Sequence, residues 1–301
     1  MEKISEVTVL LRHCGERTTD FASNVLEQVF DTKNVYRVTG VPFSDCLRNA
    51  YQQGQRAALP LTLCVDADVI IDAAGIKSLI QVALNDKTTV FEWNSLCFDR
   101  FFGIERPVGV RLYRTDKLSA LEQVVPEEGT SLRPESDAIA AVISQGWRQR
   151  RTAIFVGVHD FQQYYHDVYR KCYLQAHKHQ GFLDFPSRLW QAMAHSQPDF
   201  AVASLALRDG QLASCSPAIS KVFLPAETIE DRLKPLCLPD LETSPLRYES
   251  AKEIREQALS SVPSNLRREH SAYMIRMNRL FQERPRSWVK RAFRRLTNKA
   301  A

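Results

Sequence analysis

The chain has 301 residues, 44% apolar and 25% charged with a formal net charge of +5, a balance that suits one large globular domain, or a domain with an appendage, and a sizeable core. No run approaches the roughly eighteen apolar residues of a membrane span and no secretory leader pattern opens the sequence, so a cytoplasmic protein is expected. The seven cysteines are odd in number, scattered and never spaced C-x-x-C, which argues against a disulfide framework or a cysteine zinc site.

Val7 to Arg12 is apolar and β-branched and predicts an opening strand, followed by a turn with Gly15 and helix-cap candidates up to Asp20. Phe21, Ala22, Val25, Leu26, Val29 and Phe30 recur at helical spacing. Asn34 to Val38 predicts a second strand, and Ser44 or Asp45 caps a helix expected to stop at Gly54. Next comes Leu59-Pro-Leu-Thr-Leu-Cys-Val-Asp-Ala-Asp68, an apolar run that ends in two carboxylates one alanine apart. Such a run reads as a central parallel strand buried on both faces. Strand, helix, strand, helix, strand is half of a doubly wound nucleotide-binding sheet, in which ligands sit at the carboxyl ends of the strands.

Asp66 and Asp68 at such an end call for a positive charge between them, because unpaired buried carboxylates are costly. Carboxylate oxygens suit Mg²⁺ or Mn²⁺, whose remaining positions water and phosphate can fill. The plainer alternative is that they cap the helix starting near Asp72, or pair with arginines. In a βαβαβ unit the loop after the first strand lies beside the end of the third, so Arg12, Gly15, Glu16 and Arg17 are candidates for a base, ribose or phosphate.

The run Asp45-Cys-Leu-Arg-Asn-Ala-Tyr-Gln-Gln-Gly54, followed by the D-x-D strand, resembles the first half of the GT-A glycosyltransferases, in particular the large inverting group with an A-R-N-x-G helix before the D-x-D. Arg48 and Asn49 match the R-N pair, with Leu47 and Ala50 where alanine and glycine are usual. The resemblance covers about residues 7–160 and lies in motif order. It implies that Arg48 and Asn49 lie near the nucleotide and that the D-x-D holds a metal on the diphosphate of a sugar nucleotide.

Beyond the D-x-D, a helix is expected from Ile71 to Leu84, strands at Thr88 to Trp93 and Val108 to Arg114, and an aromatic loop from Leu96 to Ile104 between them. Arg133 to Gly146 reads as a short helix with Pro134 and acidic residues in its first turn. In the inverting enzymes a carboxylate at a comparable helix start takes the acceptor's proton. That implies Asp137 or Glu135 as catalytic base, against the alternative that both only stabilise the helix N-terminus. Thr152 to Asp160 is a further apolar strand ending in His159 and Asp160, and the resemblance implies His159 as an additional metal ligand.

Helices are expected at Phe161 to His179, Phe185 to His195, Asp199 to Leu207, Ser250 to Ser260 and Leu266 to Glu283, with a proline-rich stretch over 209–247. Residues 265–301 hold eleven Lys or Arg against two acidic residues, +9 of the total +5, which leaves −4 on residues 1–264. Within residues 286–299, Trp288, Val289, Ala292, Phe293 and Leu296 share one helical face and Lys290, Arg291, Arg294 and Arg295 the other. That pattern suits an anionic membrane surface, or docking on the body; nucleic acid ranks below both, for want of a recognition module.

The expected fold is therefore α/β: a GT-A-like, Rossmann-like mixed sheet flanked by helices over residues 1–235, with a helical basic extension over 236–301. The expected activity is metal-dependent transfer of a sugar from a nucleotide diphosphate donor to a glycan or lipid-linked acceptor, with inversion. Two alternatives stand beside it. The D-x-D strand also resembles the nucleophile strand of haloacid-dehalogenase-type phosphatases, although here a βαβα unit precedes it and no later G-D-x-x-x-D follows. A membrane-associated adaptor with a degenerate nucleotide-binding sheet is the non-enzymatic alternative.

Overall fold

The structure is a computed structural model that describes residues 3–86, 89–213, 224, 226–238 and 250–282. The basic segment 286–299 lies outside the described residues, as do 214–223 and 239–249 of the proline-rich stretch. The first half alternates as expected: β1 (Val7–His13), α1 (Thr19–Val29), β2 (Val35–Thr39), α2 (Phe43–Ala57) and β3 (Leu61–Asp66). Next come β4 (Val69–Ile71), α3 (Ala73–Leu84), β5 (Val90–Asp99), β6 (Ile104–Arg106), β7 (Val110–Arg114), α4 (Leu118–Gln123), α5 (Pro134–Ser144) and β8 (Arg148–His159). The remainder is helical: α6 (Tyr165–Lys178), α7 (Asp184–Met193), α8 (Pro198–Leu212), α9 (Ala226–Leu233), α10 (Ala251–Ser260) and α11 (Arg267–Gln282).

The strands form one mixed sheet in the order β2-β1-β3-β7-β5-β8-β4, with β6 paired to β5. β1 is parallel to β2 and β3, β5 is parallel to β8, and β7 runs antiparallel between β3 and β5. Side chains alternate across a strand. Val7, Val9 and Leu11 of β1 therefore meet α1 and α3 on one face, while Leu10 and Cys64 meet α2, α4 and α5 on the other. Arg12 and Asp66 are in register and continue the second face, which is what aims both toward α5.

Three local expectations are corrected. The segment Leu96 to Asp99 is not loop but the end of a ten-residue β5, because Cys97, Phe98 and Asp99 find partners on both β6 and β8. Val69 to Ile71 is a separate strand pairing with β8, so α3 begins only at Ala73, capped by the Asp72 carboxylate on the Gly75 N–H at 2.8 Å. Helix α2 runs through Gly54 to Ala57 and ends with Ala58 at φ 55°. A Cβ at Gly54 would stand 2.5 Å from Leu118 Cδ1, so this glycine serves the close approach of α2 to the start of α4.

A second core, built from α6, α7, α8, α9 and α11, packs on Phe101, Phe102 and Ile104 beyond the end of β5. Trp190 is fully buried there and bonds the Phe101 carbonyl at 2.5 Å. Helix α10 packs through Ala251 and Ile254 on Ile70, Phe98 and Val158. No helix among the described residues is long and apolar enough to cross a membrane.

Candidate functional site

The carboxyl ends of β1, β3, β5 and β8 meet at one edge, and each ends in a charged or titratable residue: Arg12 and His13, Asp66, Asp99, and His159 followed by Asp160. β7 runs the other way and brings its start to the same edge. Gly109, just before it, has φ 71°, and a Cβ there would collide with Val69 and stand 3.2 Å from His159 Cδ2. Only glycine allows the imidazole this close to the strand.

Asp66 belongs to a fixed chain of charges. Arg12 Nε donates to Asp66 Oδ1 at 2.8 Å and its NH1 to Glu135 Oε1 at 2.6 Å. Glu135 also accepts from Arg111 Nε at 2.9 Å and Tyr113 OH at 2.9 Å, and Arg111 NH1 continues to Glu92 Oε1 at 2.8 Å. The network thus joins β3, β1, β7 and β5 to the first turn of α5. The Arg12 side chain is only 2% exposed, so the guanidinium is held by two carboxylates away from bulk solvent. Burial alone would raise the Glu135 carboxyl, but Arg12 and Arg111 outweigh it and hold it at about 2. Burial pushes the Asp66 carboxyl up against the pull of Arg12, and the nearby Asp68 and Glu135 charges add to the push.

Asp68 faces a different set of groups. Its carboxylate, His159 and Asp160 each offer a ligand atom, and these atoms all lie within 4.8 Å of one another. His159 Nε2 is 3.6 Å from Asp68 Oδ1, and its Nδ1 is 2.9 Å from Asp160 Oδ2 and 3.3 Å from Asp99 Oδ2. Asp99 is itself held by Arg106 and by the Phe102 N–H at 3.0 Å. The Lys171 ammonium, on α6, bridges Asp68 Oδ2 and Asp160 Oδ1. Burial would raise Asp68 and lower His159. Lys171 and His159 nevertheless drive the carboxyl down, and Asp160 and Asp68 carry the imidazole up to about 10.

The fit to a divalent cation rests on two observations. Asp68 Oδ1 is buried without a hydrogen-bond partner, and the carboxylate and imidazole donors converge closely enough to share one ion. Asp68 and His159, expected from the sequence, are both in this group. Asp66 is not; its Oδ1 is engaged by Arg12. Asp160 joins the group, with its backbone held at φ 66° and its N–H on the Asp68 carbonyl at 3.0 Å.

The other candidates fall into three places. In the β1–α1 loop, Gly15 takes φ 83°, Glu16 Oε2 accepts from Cys14 N at 2.7 Å, and Arg17 NH1 donates to the Gln162 carbonyl at 3.2 Å. Thr18 donates to the Ala67 carbonyl at 2.5 Å and accepts from Gln163 at 2.9 Å, so this loop ties the D-x-D to the loop after β8. On α2, Arg48 bonds Val125 O at 3.1 Å and Glu127 at 2.7 Å, and Asn49 bonds Thr39 O at 3.2 Å; neither shares a bond with Asp66 or Asp68. On α5, Asp137 is exposed and accepts from Ser131 Oγ at 2.6 Å.

Comparison with known proteins gives likenesses of shape only. No family model matches the chain, and no curated protein matches it. Among solved structures it is similar to a mannosyltransferase from Pyrobaculum calidifontis in complex with GDP-Man and Mn²⁺, at 12% identity over 93% of this chain and 88% of that one, TM-score 0.39. It is also similar to a glycosyltransferase involved in the glycosylation of the major capsid of PBCV-1 (14% identity, 51% and 92% of the two chains, TM-score 0.36). A third is a cytidylyltransferase from Leptospira borgpetersenii serovar Hardjo-bovis (9% identity, 50% and 76%, TM-score 0.36). At these scores the likenesses decide nothing about chemistry, which has to come from the side chains at the sheet edge.

Proposed function

We propose that the protein is a metal-dependent glycosyltransferase of GT-A type, moving a sugar from a nucleotide diphosphate donor to a glycan or lipid-linked acceptor with inversion. The observation that carries this is the convergence of Asp68, His159 and Asp160 at the carboxyl edge of a nucleotide-binding type of sheet, with a buried Asp68 oxygen lacking a partner. Bound there, Mn²⁺ or Mg²⁺ supplies the positive charge that a departing diphosphate needs. Asp66 and Arg12 then shape the edge beside it, and the β1–α1 loop with Gly15, Glu16 and Arg17 provides the wall for base and ribose. Arg48 and Asn49 border the same half of the sheet from α2.

Of the two carboxylates that open α5, Glu135 is clamped by Arg12, Arg111 and Tyr113 and so positions the helix and the Arg12 guanidinium. The role of taking the acceptor's proton falls to Asp137, whose carboxylate is exposed. The phosphatase reading requires Asp66 as a free nucleophile, whereas Arg12 holds that carboxylate. Cytoplasmic placement, with peripheral attachment through residues 286–299, belongs to the same proposal.

Calorimetric titration of nucleotide diphosphates and sugar nucleotides, with and without Mn²⁺, tests it on wild type, Asp68→Ala and Asp137→Asn. Expected are metal-dependent donor binding lost in Asp68→Ala and kept in Asp137→Asn, with turnover in Asp137→Asn down by about 100-fold or more. A folded protein that binds no nucleotide under any of these conditions overturns the donor-site reading.

A further inference from the structure

The group that fills the space among the candidate ligands belongs to the chain itself. Lys171 Nζ touches Asp68 Oδ2 and Asp160 Oδ1, two carboxylates that come from different strand ends and that a divalent ion would also take. Resting on the metal-site reading above, we propose that Lys171 is the resident cation of this site: it neutralises Asp68 and Asp160 when no divalent ion is bound, and it is displaced when one binds.

Three features of the geometry support exchange over a permanent structural bridge. First, the lysine comes from α6, whereas both carboxylates are fixed by backbone bonds at the sheet edge, among them Asp160 N to Asp68 O at 3.0 Å. Removing the ammonium therefore leaves the two carboxylates in place. Second, the Lys171 side chain is 28% exposed while those of Asp68 and Asp160 are 10% and 6% exposed, so the flexible four-carbon stem has a way out toward solvent and the carboxylates do not. Third, an ammonium leaves the cluster incompletely satisfied, since Asp68 Oδ1 has no hydrogen-bond partner and looks toward His159 Nε2 at 3.6 Å. A point cation with three donors serves two carboxylate oxygens here; an ion accepting lone pairs from several sides can engage the third oxygen and the imidazole as well.

Exchange has two consequences. Affinity for the metal is set lower than the bare ligand set would give, because each binding event must expel a cation that is already paired. The displaced ammonium also stays tethered to α6 beside the site, next to where an anionic donor would lie. By reciprocity, whatever draws Lys171 outward favours the metal.

The test uses the full chain. Mn²⁺ binding is measured by calorimetry for wild type, Lys171→Met, Lys171→Arg and Lys171→Met with Asp68→Asn, and thermal unfolding is followed with and without Mn²⁺. In parallel, acetylation of Lys171 in the wild type is followed by mass spectrometry with and without Mn²⁺, which needs no variant to fold. The expected result is Mn²⁺ bound about tenfold or more tightly by Lys171→Met than by wild type. Binding is lost on adding Asp68→Asn, and acetylation of Lys171 in the wild type is several-fold faster when Mn²⁺ is present. Binding in Lys171→Met alone, with none in wild type and acetylation unmoved by Mn²⁺, overturns displacement and makes Lys171 a permanent occupant of the site. Equal affinity in wild type and Lys171→Met, with acetylation unmoved by Mn²⁺, overturns the resident-cation proposal and leaves the metal site standing. Absence of Mn²⁺ binding in every protein, with unmoved acetylation, overturns both.

Discussion

Asp66 and Asp68 stand one residue apart and are paired to their cations in opposite ways. Asp66 meets Arg12, a guanidinium 2% exposed, in a strand, and locked to Glu135 and through it to Arg111 and Glu92. Asp68 meets Lys171, whose side chain is 28% exposed, on a helix, with the ammonium at the end of a flexible stem. A planar fork in a closed network orders the framework, whereas a lone ammonium on a partly exposed, flexible stem is easier to replace. The two halves of one D-x-D are thus paired differently, the first in a closed network that holds the edge together and the second to a single cation on a flexible stem.

That contrast can be broken by measurement. The largest expected effect is on Arg12→Met, which leaves Asp66 and Glu135 buried without their shared partner and should cost about 3–5 kcal/mol in urea unfolding. Lys171→Met also leaves two buried carboxylates, Asp68 and Asp160, but His159 still faces both and added Mn²⁺ can take the place of the ammonium, so its cost should be smaller and should be largely recovered on adding Mn²⁺. Equal losses would erase the distinction.

The next effect is on acid stability. Glu135 is held at about 2 against an ordinary 4.5, so its contribution is fully present above pH 4.5 and is lost as pH falls from there toward 2. The span is worth roughly 3 kcal/mol. Glu135→Gln should flatten this part of the stability curve, and an unchanged acid limb would show that the clamp is looser than described. Burial works against the Lys171 ammonium, but Asp160 and Asp68 outweigh it and raise it above its ordinary value. Its own proton therefore adds no slope at neutral pH, while Asp68, which burial would raise but which Lys171 and His159 drive down to about 2, loses its contribution as pH falls from 3.8 toward 2.

The smallest expected effect is on Tyr113→Phe. The change removes the hydroxyl that donates to Glu135 at 2.9 Å and should lower stability by about 1 kcal/mol, with Mn²⁺ affinity unchanged. A change in metal affinity would mean that the two halves communicate through Glu135.

The alternation of elements up to Asp66 was legible because the strands are apolar or β-branched runs, the first helix repeats at 3.6 residues, and the second is marked by a cap at Ser44 or Asp45 and by Gly54. Asp68 and His159 were legible for a similar reason, as polar residues where apolar runs stop. Asp160 carried the same signal beside His159. Lys171 carried none: it is one more cation on the polar side of a helix, and its meaning depends on Asp68, 103 positions earlier. The role of Glu135 was hidden in the same way, since Arg12 lies 123 positions away. The end of β5 was misread because its pairing on both sides with β6 and β8 overrides the loop-like run of aromatics that follows.

The turn from β3 to β4 bears on how the chain folds. Asp66 ends one strand and Val69 begins another, yet β7, β5 and β8 lie between these two in the sheet, so the sheet must curl until its far edge returns to the D-x-D. Three Cα steps reach at most about 11 Å, which makes this turn a clasp. It closes only when Val69 pairs with His159, a residue made long after it during synthesis. Contacts so far apart in sequence form late because their loop entropy must be overcome first. If the proposed site binds Mn²⁺, that affinity should be among the last properties to appear on refolding, and its recovery would time completion of the sheet.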